Sequence, residues 1–313
     1  MIRFQDVAKN YGSVNALDGV SFEVPAGEVF GYIGPNGAGK TTTLKIVTGL
    51  VRSFSGSVHV GGFDVNSNRE GAMEITGYVP QDAGFQEWRT VEHALLTFAS
   101  LTGIRGSDLE TRVTSVLATL GITEFRKRKI IHLSGGTIQK LRIAQALLHN
   151  PQVLILDEPL SGLDPASRYD VKQIIKDLSA EGKTVLLSSH ILNDIEGIAN
   201  RIGILHGGRM MRIGTPEELR DEFNIGLAVD IGTETPEKAA LSLEGIRGIQ
   251  QIEVMGEGHL RVSYGKGVDL DREVNLVLKN LLAKDMPVRS LVRVQPSLED
   301  VYMSYTGGAG DGR

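Results

Sequence analysis

The chain has 313 residues, room for one large domain and a smaller companion, because single cores stop growing at roughly 250–300 residues. Apolar residues make up 41% and charged residues 23%, with a formal net charge of -5, which excludes a disordered chain and shows no basic excess of the kind that advertises nucleic acid. Without a single cysteine, disulfides, thiolate catalysis and cysteine-ligated zinc or iron–sulfur clusters are excluded.

In chain order, residues 2–7 and 20–24 alternate as strands do. A short apolar strand at 29–33 runs straight into a glycine-rich loop, and residues 42–50 then set Leu44, Val47 and Leu50 at helical spacing. Residues 90–120 read as mainly helical, broken near 103–107, within a helical insertion of about 84–150. Two apolar runs, 153–156 and 185–187, predict buried strands of a parallel sheet, joined by a helix at 166–179. A short polar helix, 217–223, closes this α/β part, expected to span residues 1–223.

Beyond residue 224 the pattern is strand 227–231, helix 236–243, strands 249–255 and 260–264, helix 270–282 and strand 288–294. That βαββαβ order predicts a small α+β domain of ferredoxin-like type over 224–306. A last helix is expected from Ser297, and the glycine-rich tail 307–313 is expected to be disordered. The first residues lack the basic-then-apolar pattern of a secretory signal, and no apolar run reaches the roughly 18–20 residues of a membrane span. A membrane role is therefore expected to come through a partner.

The loop Gly34-Pro35-Asn36-Gly37-Ala38-Gly39-Lys40-Thr41, with Thr42 next, satisfies G-x-x-x-x-G-K-[ST] between a strand and a helix. Its glycines let backbone N–H groups wrap the α- and β-phosphates, and the helix aims its N-terminal dipole at the anion. Lys40 supplies a charge at the β/γ oxygens, and Thr41 offers a hydroxyl to Mg²⁺. Alone, this loop leaves kinases, GTPases and helicases open. The run Val153-Leu154-Ile155-Leu156 ends in Asp157-Glu158, placing two acids at the carboxyl end of a buried strand, where ligands of open α/β sheets sit. Asp157 is expected to hold Mg²⁺ through water, and Glu158 to polarise the attacking water as general base.

With Leu133-Ser134-Gly135-Gly136 opening a helical run between those two motifs, the chain resembles the ATP-binding-cassette (ABC) ATPases over roughly residues 1–220. Ser134, Gly135 and Gly136 match the family's signature, a second helix N-terminus suited to a γ-phosphate. The resemblance implies an ABC-type P-loop NTPase fold with a helical subdomain, ATP and Mg²⁺ as ligands, and ATP sandwiched head to tail in a homodimer or a heterodimer with a paralogous ATPase subunit. It implies that Tyr11 stacks on adenine, that Gln81 links Mg²⁺ and the attacking water to the transporter-facing helices, that Asp164 of Ser161-Gly162-Leu163-Asp164 faces the opposite subunit, and that His190 contacts the γ-phosphate. Thr137 and Lys140 depart from the family pattern, at positions that carry no catalytic group.

Trp88, the chain's single tryptophan, stands where the family docks its membrane subunit, and it reads equally as a core residue. The stretch Gln295-Pro296-Ser297-Leu298-Glu299-Asp300-Val301-Tyr302 is similar to the closing motif of an accessory domain in exporter subunits. The implied partner is a polytopic permease, holding the chain at the cytoplasmic face of the membrane, with no nucleic acid. The competing expectation is a non-transport cassette protein of the ribosome, DNA or iron–sulfur assembly type.

Overall fold

A computed structural model describes residues 1–82, 84–222, 228–256, 258–265 and 268–294. The exporter-like motif at 295–302, the helix expected from Ser297 and the tail 307–313 lie outside them. The chain divides into two compact units, the first being Met1–Pro216 and the second starting at Glu217.

The first unit opens with β1 (Ile2–Tyr11) and β2 (Val14–Val24), followed by β3 (Val29–Ile33) and α1 (Lys40–Val47). Next come β4 (Ser55–Val60), β5 (Phe63–Asp64), α2 (Arg69–Glu74) and β6 (Thr76–Val79). The helical insertion consists of α3 (Val91–Leu101), α4 (Ser107–Thr119), two 3₁₀ turns and α5 (Gly135–Leu147). The chain then returns through β7 (Val153–Leu156), α6 (Pro165–Ala180), β8 (Thr184–Ser189), α7 (Leu192–Ile195), β9 (Arg201–His206) and β10 (Arg209–Gly214). The helix α8 (Pro216–Glu222) starts at the boundary, so the first unit ends at Pro216 and not at the expected residue 223.

Two sheets form. An antiparallel one has the order β2-β1-β4-β5, and a six-stranded one the order β10-β9-β3-β8-β7-β6, parallel except for β10. Every residue of β3, β7 and β8 is buried, which is why these strands read as unbroken apolar runs. In β2 burial falls on Leu17, Val20, Phe22 and Val24, and that face meets the second sheet. Phe22 is the join: its ring stacks on Phe4 at 4.4 Å, Phe30 at 5.2 Å and Tyr32 at 5.4 Å. The Tyr32 hydroxyl pairs with Thr43 Oγ1 at 3.2 Å, fastening β3 to α1. One expected core position is corrected. Leu50 is 57% exposed, because α1 ends at Val47 and Ile46 takes the buried place instead.

The second unit contains β11 (Ala228–Thr233), α9 (Pro236–Leu243), β12 (Ile249–Val254), β13 (His259–Tyr264), α10 (Leu270–Ala283) and β14 (Val288–Val294). Its sheet order, β12-β13-β11-β14 with all neighbours antiparallel, is the ferredoxin-like arrangement expected from the element order. Val229, Ile231, Leu260 and Val262 alternate along the central strands and pack with Ala239, Leu243, Val277 and Leu281 of the two helices. Among the described residues no helix is long and apolar enough to cross a membrane.

Candidate functional site

Parallel pairing brings the carboxyl ends of four strands to one edge. Ile33 of β3 lies beside Ser189 of β8, Leu156 of β7 beside Leu187, and Val79 of β6 beside Leu156. The residues just beyond those ends are therefore neighbours: the loop from Gly34, the pair Asp157-Glu158, His190, and Gln81.

Pro35, Asn36, Gly37, Gly39, Lys40, Thr41, Thr42, Gln81 and Glu158 line one cleft of about 350 Å³. Val14 and Ala16 of β2 complete its wall, which sequence reasoning missed because nothing near 14–16 carries a phosphate-binding signal. Gly39 precedes α1 at φ +108°, and a Cβ there would run into the Ala16 carbonyl and come within 2.7 Å of Leu17 Cδ2. Only glycine satisfies both the left-handed backbone and the close approach.

The charges interlock. Lys40 Nζ donates to the Gly34 carbonyl at 2.7 Å and lies 3.2 Å from Glu158 Oε1. Glu158 Oε2 meets His190 Nδ1 at 2.8 Å, so the carboxylate sits between lysine and imidazole. Both Lys40 and Glu158 side chains are 6% exposed. Glu158 also has a left-handed backbone, φ +50°, a conformation that costs a non-glycine residue on the order of 1–3 kcal/mol and concentrates at functional sites. Ser188, fully buried, steadies the pair: its Oγ accepts the Glu158 N–H at 2.9 Å and donates to Asp157 Oδ1 at 2.7 Å. Burial pushes the Asp157 carboxyl above its usual range, against the lowering effect of hydroxyls from Ser188 and Thr41. Its second oxygen, Oδ2, is buried with no hydrogen-bond partner. That carboxylate oxygen, with the Thr41 hydroxyl near it and the Gln81 side chain lining the cleft, belongs to the oxygen-only chemistry that Mg²⁺ takes.

Other expected residues lie outside this cleft. Tyr11 is 47% exposed at the turn between β1 and β2, with Lys9 Nζ 4.7 Å over its ring. Ser134 caps α5, accepting the Thr137 N–H at 3.3 Å, and its hydroxyl also meets Thr137 Oγ1 at 2.9 Å. Ser134 and Gly135 are not buried, leaving the amide end of α5 open. Gly136 is buried for a further reason: a Cβ there would collide with the Ser167 side chain on α6. Asp164 caps α6, accepting from Ser167 N at 3.0 Å and Ser167 Oγ at 2.6 Å, and these bonds hold its carboxyl below the usual range. Lys140 reaches Asp170 Oδ2 at 2.7 Å, a second tie between the two helices. Trp88 is 64% exposed under Arg89, at 5.1 Å, so the core reading of that residue is set aside.

Comparison with known proteins agrees with this geometry. Residues 17–161 match the family model described as ABC transporter. A Nod factor export ATP-binding protein I from Burkholderia thailandensis is 36% identical over 98% of this chain and 97% of its own length. A linearmycin resistance ATP-binding protein from Bacillus subtilis is 31% identical over 98% of both chains. The chain belongs to the ABC transporter ATP-binding family. Among solved structures, an ATP-binding subunit of an ABC transporter superposes at a TM-score of 0.63 with 31% identity, covering 71% of this chain and 93% of that one. A dimeric cassette in a post-hydrolysis state with ADP and Pi superposes at 0.62 with 26% identity, covering 69% and 98%. This chain is accordingly the ATP-binding and ATP-hydrolysing subunit of an ABC machine, and the cleft under Gly34–Thr41 belongs to its cassette fold.

Proposed function

We propose that this subunit drives an exporter, by closing head to tail with a second cassette around ATP and opening again after hydrolysis. The observation that carries the export reading is the span of the match. Relatives whose names say export or resistance align over 98% of this chain, through the second unit as well as the cassette.

In this reading the Gly34–Thr41 loop and Thr42 cradle the phosphates, and Tyr11 lies against adenine. Lys40 exchanges Glu158 and the Gly34 carbonyl for the β/γ oxygens, which releases Glu158 to take the proton of the attacking water. Thr41 and Gln81, with Asp157 through water, would hold Mg²⁺, which neutralises charge on the phosphate oxygens. His190, oriented through Nδ1 by Glu158, presents its other ring nitrogen to the γ-phosphate. Ser134, Gly135 and Gly136 of the opposite cassette, whether a second copy or a paralogue, supply the amide end of α5 to the same phosphate, with Asp164 in the adjoining loop. The exposed Trp88 faces a polytopic permease, which keeps the subunit at the cytoplasmic face of the membrane.

Tagged Glu158→Gln protein, purified with ATP from detergent-solubilised native membranes, tests this. A stoichiometric polytopic membrane protein is expected in the eluate. Recovery of soluble dimer alone, or of ribosomes, would refute the transport role and leave the ATPase standing.

A further inference from the structure

His190 is held by more than Glu158. The turn behind it is closed by short bonds: Ile191 N–H donates to Ser189 Oγ at 2.9 Å, Ser189 Oγ donates to the Ile191 carbonyl at 2.9 Å, and Asp194 N–H donates to that same carbonyl at 3.2 Å. Asp194, in α7, is a carboxylate only 2% exposed, and none of the steps above uses it. The cations that face it come from α6. Arg168 Nη1 lies 3.3 Å from Asp194 Oδ1, and Lys172 Nζ donates to the neighbouring Asn193 carbonyl at 2.5 Å.

Arg168 and Lys172 stand four residues apart and share one face of α6. That helix is capped by Asp164, so one element links the loop expected at the opposite cassette to the turn carrying His190. The contact is attractive but not a fork: Arg168 Nε and Asp194 Oδ1 are both buried without a hydrogen bond. A buried pair of this kind adds little stability over an apolar pair, and its best-attested use is to fix an arrangement.

We propose that Asp194 is a positioning residue for hydrolysis: through Arg168 and Lys172 it locks the His190 turn to α6, so that contact at Asp164 sets His190 against Glu158. This link rests on the roles given above to His190 and Glu158.

Steady-state ATPase kinetics of the full chain test it, with Asp194→Asn, Arg168→Gln, the double variant and Asp194→Glu. Each neutral variant is expected to lower kcat by about ten- to a hundredfold while KM for ATP stays within about twofold. The double variant should be no slower than the slower single one, because both break the same link. Asp194→Glu, which keeps the charge, should recover part of kcat. Wild-type kcat in the neutral variants, a loss confined to KM, or a double variant as slow as the product of the singles would overturn the proposal. Thermal melts accompany the kinetics. If Asp194→Asn does not fold, Arg168→Gln decides alone, since that side chain is 34% exposed. Glu158→Gln and His190→Ala serve as references: full activity in them would refute the site assignment itself, and this link with it.

Discussion

Replacing Ser188 with alanine should unsettle the site from beneath. The hydroxyl serves two buried groups, the Glu158 N–H at 2.9 Å and Asp157 Oδ1 at 2.7 Å. An abandoned buried N–H costs about 1–3 kcal/mol, and a hydrogen bond to a charged group is worth about 1.5–3 kcal/mol. The nearby Thr41 hydroxyl also lowers the Asp157 carboxyl pKa, which trims the second figure, so a total of about 2–4 kcal/mol is expected. For a unit the size of Met1–Pro216, each kcal/mol moves the melting midpoint by about 2–4 °C, giving a fall of about 4–16 °C. The N–H bond also restrains Glu158 in its left-handed backbone, so kcat should fall along with stability. Calorimetry and ATPase rates on Ser188→Ala, with Ser57→Ala on the antiparallel sheet as control, measure both. A shift below about 1 °C with an unchanged kcat would refute the idea that Ser188 supports these acids.

Gly136→Ala should destabilise the cassette by about 1–3 kcal/mol in denaturant melts by driving α5 off α6, and adding Ser167→Ala should recover part of the loss. In the second unit Arg261 grips Asp230 with two bonds of 2.7 and 2.9 Å and holds its carboxyl below the usual range. The depressed pKa stabilises above the ordinary carboxylate pKa and is lost as pH falls through the folded value. Asp230→Asn should therefore cost about 0.5–1 kcal/mol at neutral pH and converge on wild type in acid, as read by melts across pH, the pair being about a third exposed. Trp88→Ala should leave the melting temperature within about 1 °C, since the ring is 64% exposed, while reducing permease recovery in the affinity experiment.

The ends of β3, β7 and β8 were legible because these buried parallel strands carry apolar runs and a glycine loop, two acids or a histidine follow them closely. The second unit was legible because its short apolar strands are separated by two helices with a clear buried stripe, although only β13 alternates in burial and β12 and β14 do not. β4, β5, β6, β9 and β10 were not. Ser55-Gly56-Ser57 opens β4 with small exposed or half-buried residues, and β5 is only two residues long, so neither offers periodicity. Leu50 kept the helical spacing beyond the point where α1 ends, a case of pattern outrunning the element. Ser188 passed unremarked because a serine in a strand gives no signal until its two partners, thirty and thirty-one residues back, are seen beside it. Gly136 fitted a phosphate motif so well that its packing against Ser167 was invisible.

The central claim is that Glu158 activates the water that cleaves ATP. The most direct test is the rate of phosphate release by full-length Glu158→Gln at saturating ATP and Mg²⁺, with bound ATP counted on the same sample. The account predicts full ATP occupancy with the rate lowered by at least about a hundredfold, the scale of a lost general base. Occupancy and rate both equal to wild type would contradict it.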